Sequence, residues 1–338
     1  MRIGIDAMGG DSSPATEVKG AMAACQFLGP EDRIVLVGHE EAIRPHLQGD
    51  GPWRGRIAVH HAPDRIGMGE SPVEALRSKP DSSIAVMAQM HREGQIDACI
   101  SAGNTGACVA AAQMRLRRLR GVHRPGIAII TPSYRGPVAI CDVGANVDCR
   151  PAHLFQYGVM ASIYLEAICG VSNPRVALLS VGAEDAKGNE LVKRTHQLFR
   201  EAPPMPMRFV GNLEGRDLFR GLCDVLVCDG FVGNVALKLM EGMAEAVLKA
   251  MLEELAAAMP DRAADIRRSA GSVVAKYDFN EYGGAPLLGV GGILIICHGA
   301  SDHRGIMNAV RVAAEFARHQ VNQKITELLS TGRDDADG

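Results

Sequence analysis

The sequence predicts an α/β protein: a mostly parallel sheet covered by helices on both faces, with one projecting helical hairpin. Three observations predict it. Short apolar runs alternate with helical patterns along most of the chain. Most of those runs end in loops rich in Gly, Asn, Ser and Asp. One stretch, 235–275, breaks the alternation with two helical patterns in succession.

The elements follow in order. Candidate strands cover 2–6, 33–38, 56–60, 98–101, 127–131, 138–142, 176–180, 208–210, 225–228 and 293–297. Each is a short apolar run rich in Val, Ile, Leu, Ala or Cys, as a strand buried on both faces requires. Helical patterns lie between most of them, at 15–27, 82–92, 153–168 and 189–200. The runs 127–131 and 138–142 are joined by only Pro132-Ser133-Tyr134-Arg135-Gly136-Pro137, a link short enough for a hairpin, so some antiparallel pairing is expected there. In 235–275, Leu237, Met240, Ala244, Leu248, Met251, Leu255 and Met259 step by three or four residues, with a turn at Met259-Pro260-Asp261. A first helix of that length spans roughly 30 Å, longer than a usual crossover. It is read as a homodimer contact, with plain core as the alternative. No low-complexity linker divides the chain, so 1–330 reads as a single α/β catalytic domain. Residues 331–338 form a polar, acidic tail expected to be disordered.

Composition excludes several classes. The 338 residues are 47% hydrophobic and 22% charged, which a disordered chain is not. Lys+Arg number 36 against 39 Asp+Glu, so the basic excess of a duplex nucleic-acid binder is missing. Gly is frequent at 38 while aromatic residues make up only 4%, a balance suited to backbone approaching small ligands. Nine cysteines form no C-x-x-C pair and lie mostly in apolar runs, so they read as free thiols of a reducing compartment. Neither a signal peptide nor an apolar run of about 18 residues is present, so a cytosolic protein is expected, free to touch a membrane from outside.

In open parallel sheets, ligands bind beyond the carboxyl ends of strands. The loops in those places are Asp6-Ala7-Met8-Gly9-Gly10-Asp11, Ser101-Ala102-Gly103-Asn104-Thr105-Gly106 and Asp142-Val143-Gly144-Ala145-Asn146, then 182–189, Asp229-Gly230-Phe231-Val232-Gly233-Asn234 and His298-Gly299-Ala300-Ser301-Asp302. Gly permits close backbone approach, Asn and Ser bring uncharged hydrogen bonds, and helix N-termini favour anions. Gly-Asn recurs four times, each copy after a predicted strand, and the six loops are expected to meet along one sheet edge. There the candidate residues are Asp6, Gly9, Gly10, Asp11, Ser101, Gly103, Asn104, Thr105, Asp142, Asn146, Glu184, Lys187, Gly188, Asp229, Gly230, Phe231, Gly233, Asn234, Lys238 and His298. Lys187 is positioned to meet an anion; a solvated turn lysine is the alternative for it and for Lys238.

No P-loop, G-x-G-x-x-G, G-x-S-x-G or H-E-x-x-H motif occurs, and no metal or cofactor is implied. The pair His60-His61 lies in a strand-like run and reads as structural. The basic run Arg115 to Arg124 is either a docking surface for an acidic partner or a solvated helix end.

Taken together, these loops resemble the bacterial phosphate acyltransferases of phospholipid synthesis. Asp6-Ala7-Met8-Gly9-Gly10-Asp11 resembles that family's opening signature. Ser101 to Ala107, Asp142 to Asn146, Glu184 with Lys187-Gly188-Asn189-Glu190, Asp229 to Asn234, Tyr282 to Gly289 and His298-Gly299 continue the match over nearly the whole chain. Ser180, Ala183, Asp185 and Ala300 depart from the usual pattern. The resemblance implies an α/β/α sandwich of the isocitrate dehydrogenase and phosphotransacetylase type that dimerises. It implies transfer of a fatty acyl group from acyl carrier protein to inorganic phosphate, with no cofactor, by a peripheral protein of the inner membrane face. Glycerol-3-phosphate acyltransferase would then consume the acyl phosphate. Phosphate is itself the nucleophile in such a reaction, so the enzyme must align two anionic groups and stabilise an oxyanion. In that reaction Lys187 would neutralise phosphate or oxyanion, Asn104 and Asn234 would donate to it, and His298 would protonate the thiolate. Asp6 and Asp142 would orient loops. A phosphotransacetylase-like or nicotinamide-dependent enzyme on the same fold is the alternative.

Overall fold

A computed structural model describes residues 1–277 and 279–330; the predicted tail lies outside the described residues. The strands are β1 (Arg2–Asp6), β2 (Arg33–Gly38), β3 (Ile57–His61), β4 (Ala98–Ser101), β5 (Gly126–Ser133), β6 (Gly136–Cys141), β7 (Arg175–Leu179), β8 (Arg208–Leu213), β9 (Val225–Val227), β10 (Ala285–Leu288) and β11 (Leu294–Ile296). The α-helices are α1 (Ala15–Ala24), α2 (Glu40–Ile43), α3 (Pro72–Ser78), α4 (Ser83–Arg92), α5 (Thr105–Arg115), α6 (Pro151–Cys169), α7 (Glu190–Glu201), α8 (Gly230–Ala258), α9 (Ala263–Tyr277), α10 (His303–Arg318) and α11 (Val321–Ser330).

One eleven-stranded sheet runs in the order β3-β2-β1-β4-β11-β10-β5-β6-β9-β7-β8. Side chains along each strand alternate between two cores. Ile3, Ile5, Ile100 and Ile295 face the layer of α1, α6, α10 and α11, whereas Cys99, Leu294, Ile296 and Ile140 face that of α4 and α5. This is the expected three-layer arrangement. Ile295 is fully buried, and truncating such a residue to Ala costs about 2–5 kcal/mol.

Strand direction is where the observed sheet departs from expectation. β1, β2, β3, β4 and β11 are parallel. The hairpin β5–β6 forms as expected, with Ile129 opposite Ile140. A further strand, β10, is antiparallel to both β11 and β5. With β6, β9, β7 and β8 mutually parallel, the three antiparallel pairs β11–β10, β10–β5 and β5–β6 point the second set opposite to the first. The carboxyl ends of β1, β4 and β11 therefore form one rim of the sheet, and those of β6, β9 and β7 form the opposite rim.

Asn and Asp side chains open the helices that follow strands. Asn104 accepts from the Ala107 N–H (3.0 Å), and Asn189 from the Val192 N–H (3.0 Å). Asp229 accepts from the Phe231 and Val232 N–H groups at 3.0 and 2.9 Å. Two of the four Gly-Asn pairs are thus helix caps, and Gly211-Asn212 lies inside β8 rather than in a loop.

The hairpin forms from α8 and α9 with a 3-10 turn at Pro260–Arg262. α8 starts at Gly230, earlier than predicted, and its exposed apolar stripe is Leu239, Met243, Val247, Met251, Leu255 and Met259. Leu237 and Met240 turn inward instead. Among the described residues, no helix is long and apolar enough to cross a membrane.

Candidate active site

The first rim brings three loops into contact. A Cβ on Gly9 would lie 2.6 Å from the Gly103 nitrogen, so only glycine lets the loops after β1 and β4 approach this closely. The Asp11 N–H donates to the Gly299 carbonyl (2.8 Å), which ties in the loop after β11. Beneath them lies Asp6, 1% exposed. Its carboxylate accepts from Ser101 Oγ (2.7 Å) and the Met8 N–H (3.1 Å), and Ser101 Oγ accepts from the Gly103 N–H (3.0 Å). Burial pushes the Asp6 carboxyl above its usual range. These bonds tie the start of the loop after β1 to the loop after β4.

Glu17, which the sequence did not single out, is part of the same network. One carboxylate oxygen accepts from the Gly10 N–H (3.1 Å) and Ser13 Oγ (2.9 Å). The other is buried with no hydrogen-bond partner among the described residues, and burial pushes this carboxyl up as well. Its position on the first turn of α1 gave no periodic or motif signal.

Asn104 corrects an expectation. Besides capping α5, its Nδ2 donates to the carbonyls of Gly67 (3.2 Å), Met68 (3.1 Å) and Glu70 (3.1 Å). Both amide hydrogens are committed to holding the segment after β3, so they are not available to an oxyanion. The free donors nearby are main-chain ones: the Thr105 and Gly106 N–H groups at the start of α5 have no protein acceptor among the described residues. Gly67-Met68-Gly69-Glu70, another glycine-rich loop after a strand, was the signal that sequence reading passed over.

Lys238 reaches this rim from the other one. Eight residues into α8, roughly 12 Å along its axis, its Nζ lies 3.3 Å from His298 Nε2 and donates to Glu241 at 2.8 Å. The Ala300 N–H lies 3.2 Å from His298 Nδ1. A neutral ring that accepts at Nδ1 carries its proton on Nε2, whereas an ammonium at Lys238 needs Nε2 bare. Each neutral tautomer therefore satisfies one of these two contacts and not the other.

The second rim is organised by Asp142, fully buried. Oδ1 accepts from Ile127 (3.0 Å), Gly144 (3.1 Å) and Ala145 (3.0 Å); Oδ2 accepts from the Asn146 N–H (2.8 Å) and Nδ2 (3.2 Å). Burial pushes this carboxyl up, and the N–H donors oppose that rise. Asn146 Nδ2 also donates to the Pro125 carbonyl (2.6 Å) and to Tyr157 Oη (2.8 Å). Gly230 and Gly233 let α8 pass directly over this loop: a Cβ on Gly233 would collide with the Asp142 carbonyl oxygen. Phe231 and Asn234 are exposed on the first turn, with the Asn234 side chain over Gly144.

Lys187, Glu184 and Gly188 belong to the loop after β7 on that second rim. β7 is six strands from β4, roughly 29 Å at about 4.8 Å per strand. The six loops therefore do not converge on one edge within a protomer, because the β5–β6 hairpin turns the later strands over, and Lys187 is not beside Asn104 or His298. Lys187 is exposed, with its N–H donating to the Glu184 carbonyl (2.9 Å). His61 on the outer strand accepts from the Glu40 N–H (3.3 Å), in line with a structural role. Among the described residues, no three His, Cys, Asp or Glu side chains are grouped to hold a metal.

Sheet order and anion-friendly loops define a phosphotransacylase-type α/β/α architecture. A phosphotransacetylase from Streptococcus pyogenes superposes with a TM-score of 0.62 at 16% identity, over 94% of each chain. A branched-chain phosphotransacylase from Enterococcus faecalis gives 0.59 at 13% identity, over 93% of this chain and 98% of the other. Sequence narrows the class. The family model described as fatty acid synthesis protein matches residues 1–324. The phosphate acyltransferase of Geobacter sulfurreducens is 44% identical over 333 residues, 98% of this chain and 95% of that one. That of Desulforamulus reducens is 46% identical over 335 residues, 98% of both chains. The chain belongs to this phosphate acyltransferase family of enzymes.

Proposed function

We propose that this enzyme transfers a fatty acyl group from acyl-[acyl carrier protein] to inorganic phosphate, giving an acyl phosphate for phospholipid synthesis. The observation that carries this reading is the Lys238–His298 pair beside glycine-rich loops whose α5 N–H groups have no protein acceptor. Phosphate would be held by those N–H groups and by Lys238, an ammonium suited to a compact anion. A phosphate oxygen attacks the thioester carbonyl carbon, the C–S bond breaks, and the proton of hydrogen phosphate ends on the thiol, with His298 as its carrier. Catalysis is then positioning plus oxyanion stabilisation, without a protein nucleophile. Lys187 and Asn234, on the other rim, stand as the competing charge and amide donors.

The same reading has the enzyme act in the cytoplasm as a homodimer, touching the inner membrane face and passing its product to a glycerol-3-phosphate acyltransferase. The exposed stripe of α8 supports association with a partner or a lipid surface. Sedimentation of a Leu239→Asp, Met243→Asp variant separates these: loss of the dimer supports the first, and an unchanged dimer that no longer floats with liposomes supports the second. The activity itself is tested by incubating the purified chain with acyl carrier protein thioester and phosphate. Acyl phosphate, trapped as the hydroxamate, and free thiol should appear together and only with phosphate. Thiol release that ignores phosphate, or activity confined to acyl-CoA, overturns the proposal.

A further inference from the structure

A cavity lies away from the first rim, at the far end of α5. Eleven residues of helix separate it from Asn104, about 16 Å of axial rise. Its volume is ≈ 700 Å³, within the range of small-ligand sites, and Gln113, Arg117, Arg118 and Arg124 line it. Several guanidinium groups elsewhere are matched, such as Arg175 with Asp224, Arg2 with Asp97 and Arg318 with Glu315, while others, such as Arg77 and Arg92, stand singly without an ion pair among the described residues. Arg117, Arg118 and Arg124, gathered with neighbouring Arg120 and Arg150, also form no ion pair among the described residues. The Arg118 guanidinium donates to the His123 carbonyl.

Like charges gathered without counter-charge repel, so the backbone must hold them. It does so at both ends of the loop. The Arg117 carbonyl accepts from the Gly291 N–H (2.9 Å), and the Leu119 N–H donates to the Gly289 carbonyl (2.9 Å). Gln156, 7% exposed, accepts from the His123 N–H (2.8 Å) and donates to the Gly121 carbonyl (2.8 Å). Arg117 itself is held at φ 61°, a conformation rare for a residue with a Cβ. Arg150 starts α6, so the positive end of that helix adds to the field.

We propose that this cavity is a binding site for a small phosphorylated molecule bearing at least two negative charges, such as a diphosphate. Guanidinium forks match phosphate oxygens in pairs, and several around one concavity match a polyanion better than a single carboxylate. The lining holds no aromatic ring to stack a base, so recognition is of the phosphates. A concave site favours such a ligand over a docked protein, which would meet a protruding patch.

Inorganic pyrophosphate is the probe, titrated calorimetrically into the full chain, with phosphate as comparator. Saturable binding of pyrophosphate, tighter than phosphate, is expected. It should weaken about tenfold or more in Arg117→Gln, Arg124→Gln and stay unchanged in Arg120→Gln, which is outside the cavity lining. Arg117→Lys, Arg124→Lys should keep part of it, which separates lost recognition from lost fold. The His153 ring gives a second readout: burial and the nearby His123, Arg124, Arg150 and Arg118 hold it down to about 4, and bound pyrophosphate should make it easier to protonate by NMR. No saturation up to ~10 mM, too weak for a specific site, overturns the proposal. So does an equal loss in Arg120→Gln, or an acyl carrier protein that needs Arg117 and Arg124 while pyrophosphate neither binds nor competes. None of these readouts depends on acyl transfer.

Discussion

Replacing Asp142 by Asn tests the organisation of the second rim. The carboxylate accepts five N–H donors, three at Oδ1 and two at Oδ2, in a site with no water-exposed surface. An amide must set its NH2 against one of those groups. The better choice is Oδ2, which still loses the bonds from the Asn146 N–H and Nδ2 and faces donor to donor. Hydrogen bonds to a charged group contribute about 1.5–3 kcal/mol each, so the loss is about 3–6 kcal/mol. Unfolding entropy of ~2.1 cal/mol/K per residue gives ~0.7 kcal/mol/K for 338 residues, so Tm should fall by about 4–8 °C. Chemical denaturation followed by circular dichroism measures the free energy, and calorimetry the Tm. A loss below ~1 kcal/mol would refute the view that this carboxylate holds the loop through those bonds.

Other outcomes follow from the same geometry. Gly233→Ala should destabilise by about 1–3 kcal/mol or more through overpacking against the Asp142 carbonyl, whereas Gly242→Ala, on an open helix face, should stabilise by about 0.5–1 kcal/mol; thermal melts of the two should move in opposite directions. Lys238→Ala should lower kcat for acyl phosphate formation about 100-fold, and Lys187→Ala less; the reverse order would return the phosphate site to the β7 loop. Because burial raises the folded-state pKa of Glu17, its stability contribution is complete below the usual glutamate range and lost as pH rises toward the folded value. Glu17→Gln removes that loss, so its Tm relative to the unmodified chain should rise with pH above that range; a flat difference counts against the reading.

What could be read in advance divides along the line between local and non-local information. β1, β2 and β4 appear at their predicted bounds because Ile3, Ile5, Ile34, Leu36, Cys99 and Ile100 report double burial directly. β10 was missed: Ala285-Pro286-Leu287-Leu288 is brief and carries a proline, and it pairs half with β11 and half with β5. Its two antiparallel pairs cancel, so β5 runs in the direction of β11 and the β5–β6 hairpin reverses the strands beyond it, and no local pattern encodes direction. The loops were legible as loops, yet their division between two rims was not. Likewise the helical period identified α8, while the face left open depends on where α9 lies. Asn104 looked like a ligand donor because nothing local revealed the three carbonyls awaiting it after β3.

The place of β11 has a consequence for synthesis. Cys99 on β4 pairs beside Leu294, a separation of 195 residues. Until that segment leaves the ribosome, β4 is an open edge with unpaired N–H and C=O groups, the kind of edge that invites pairing with other chains. At about 5–20 residues per second the interval lasts roughly 10–40 s. The nascent N-terminal half is thus a strand acceptor for tens of seconds, and truncations ending before β11 should yield aggregating fragments rather than a smaller folded unit.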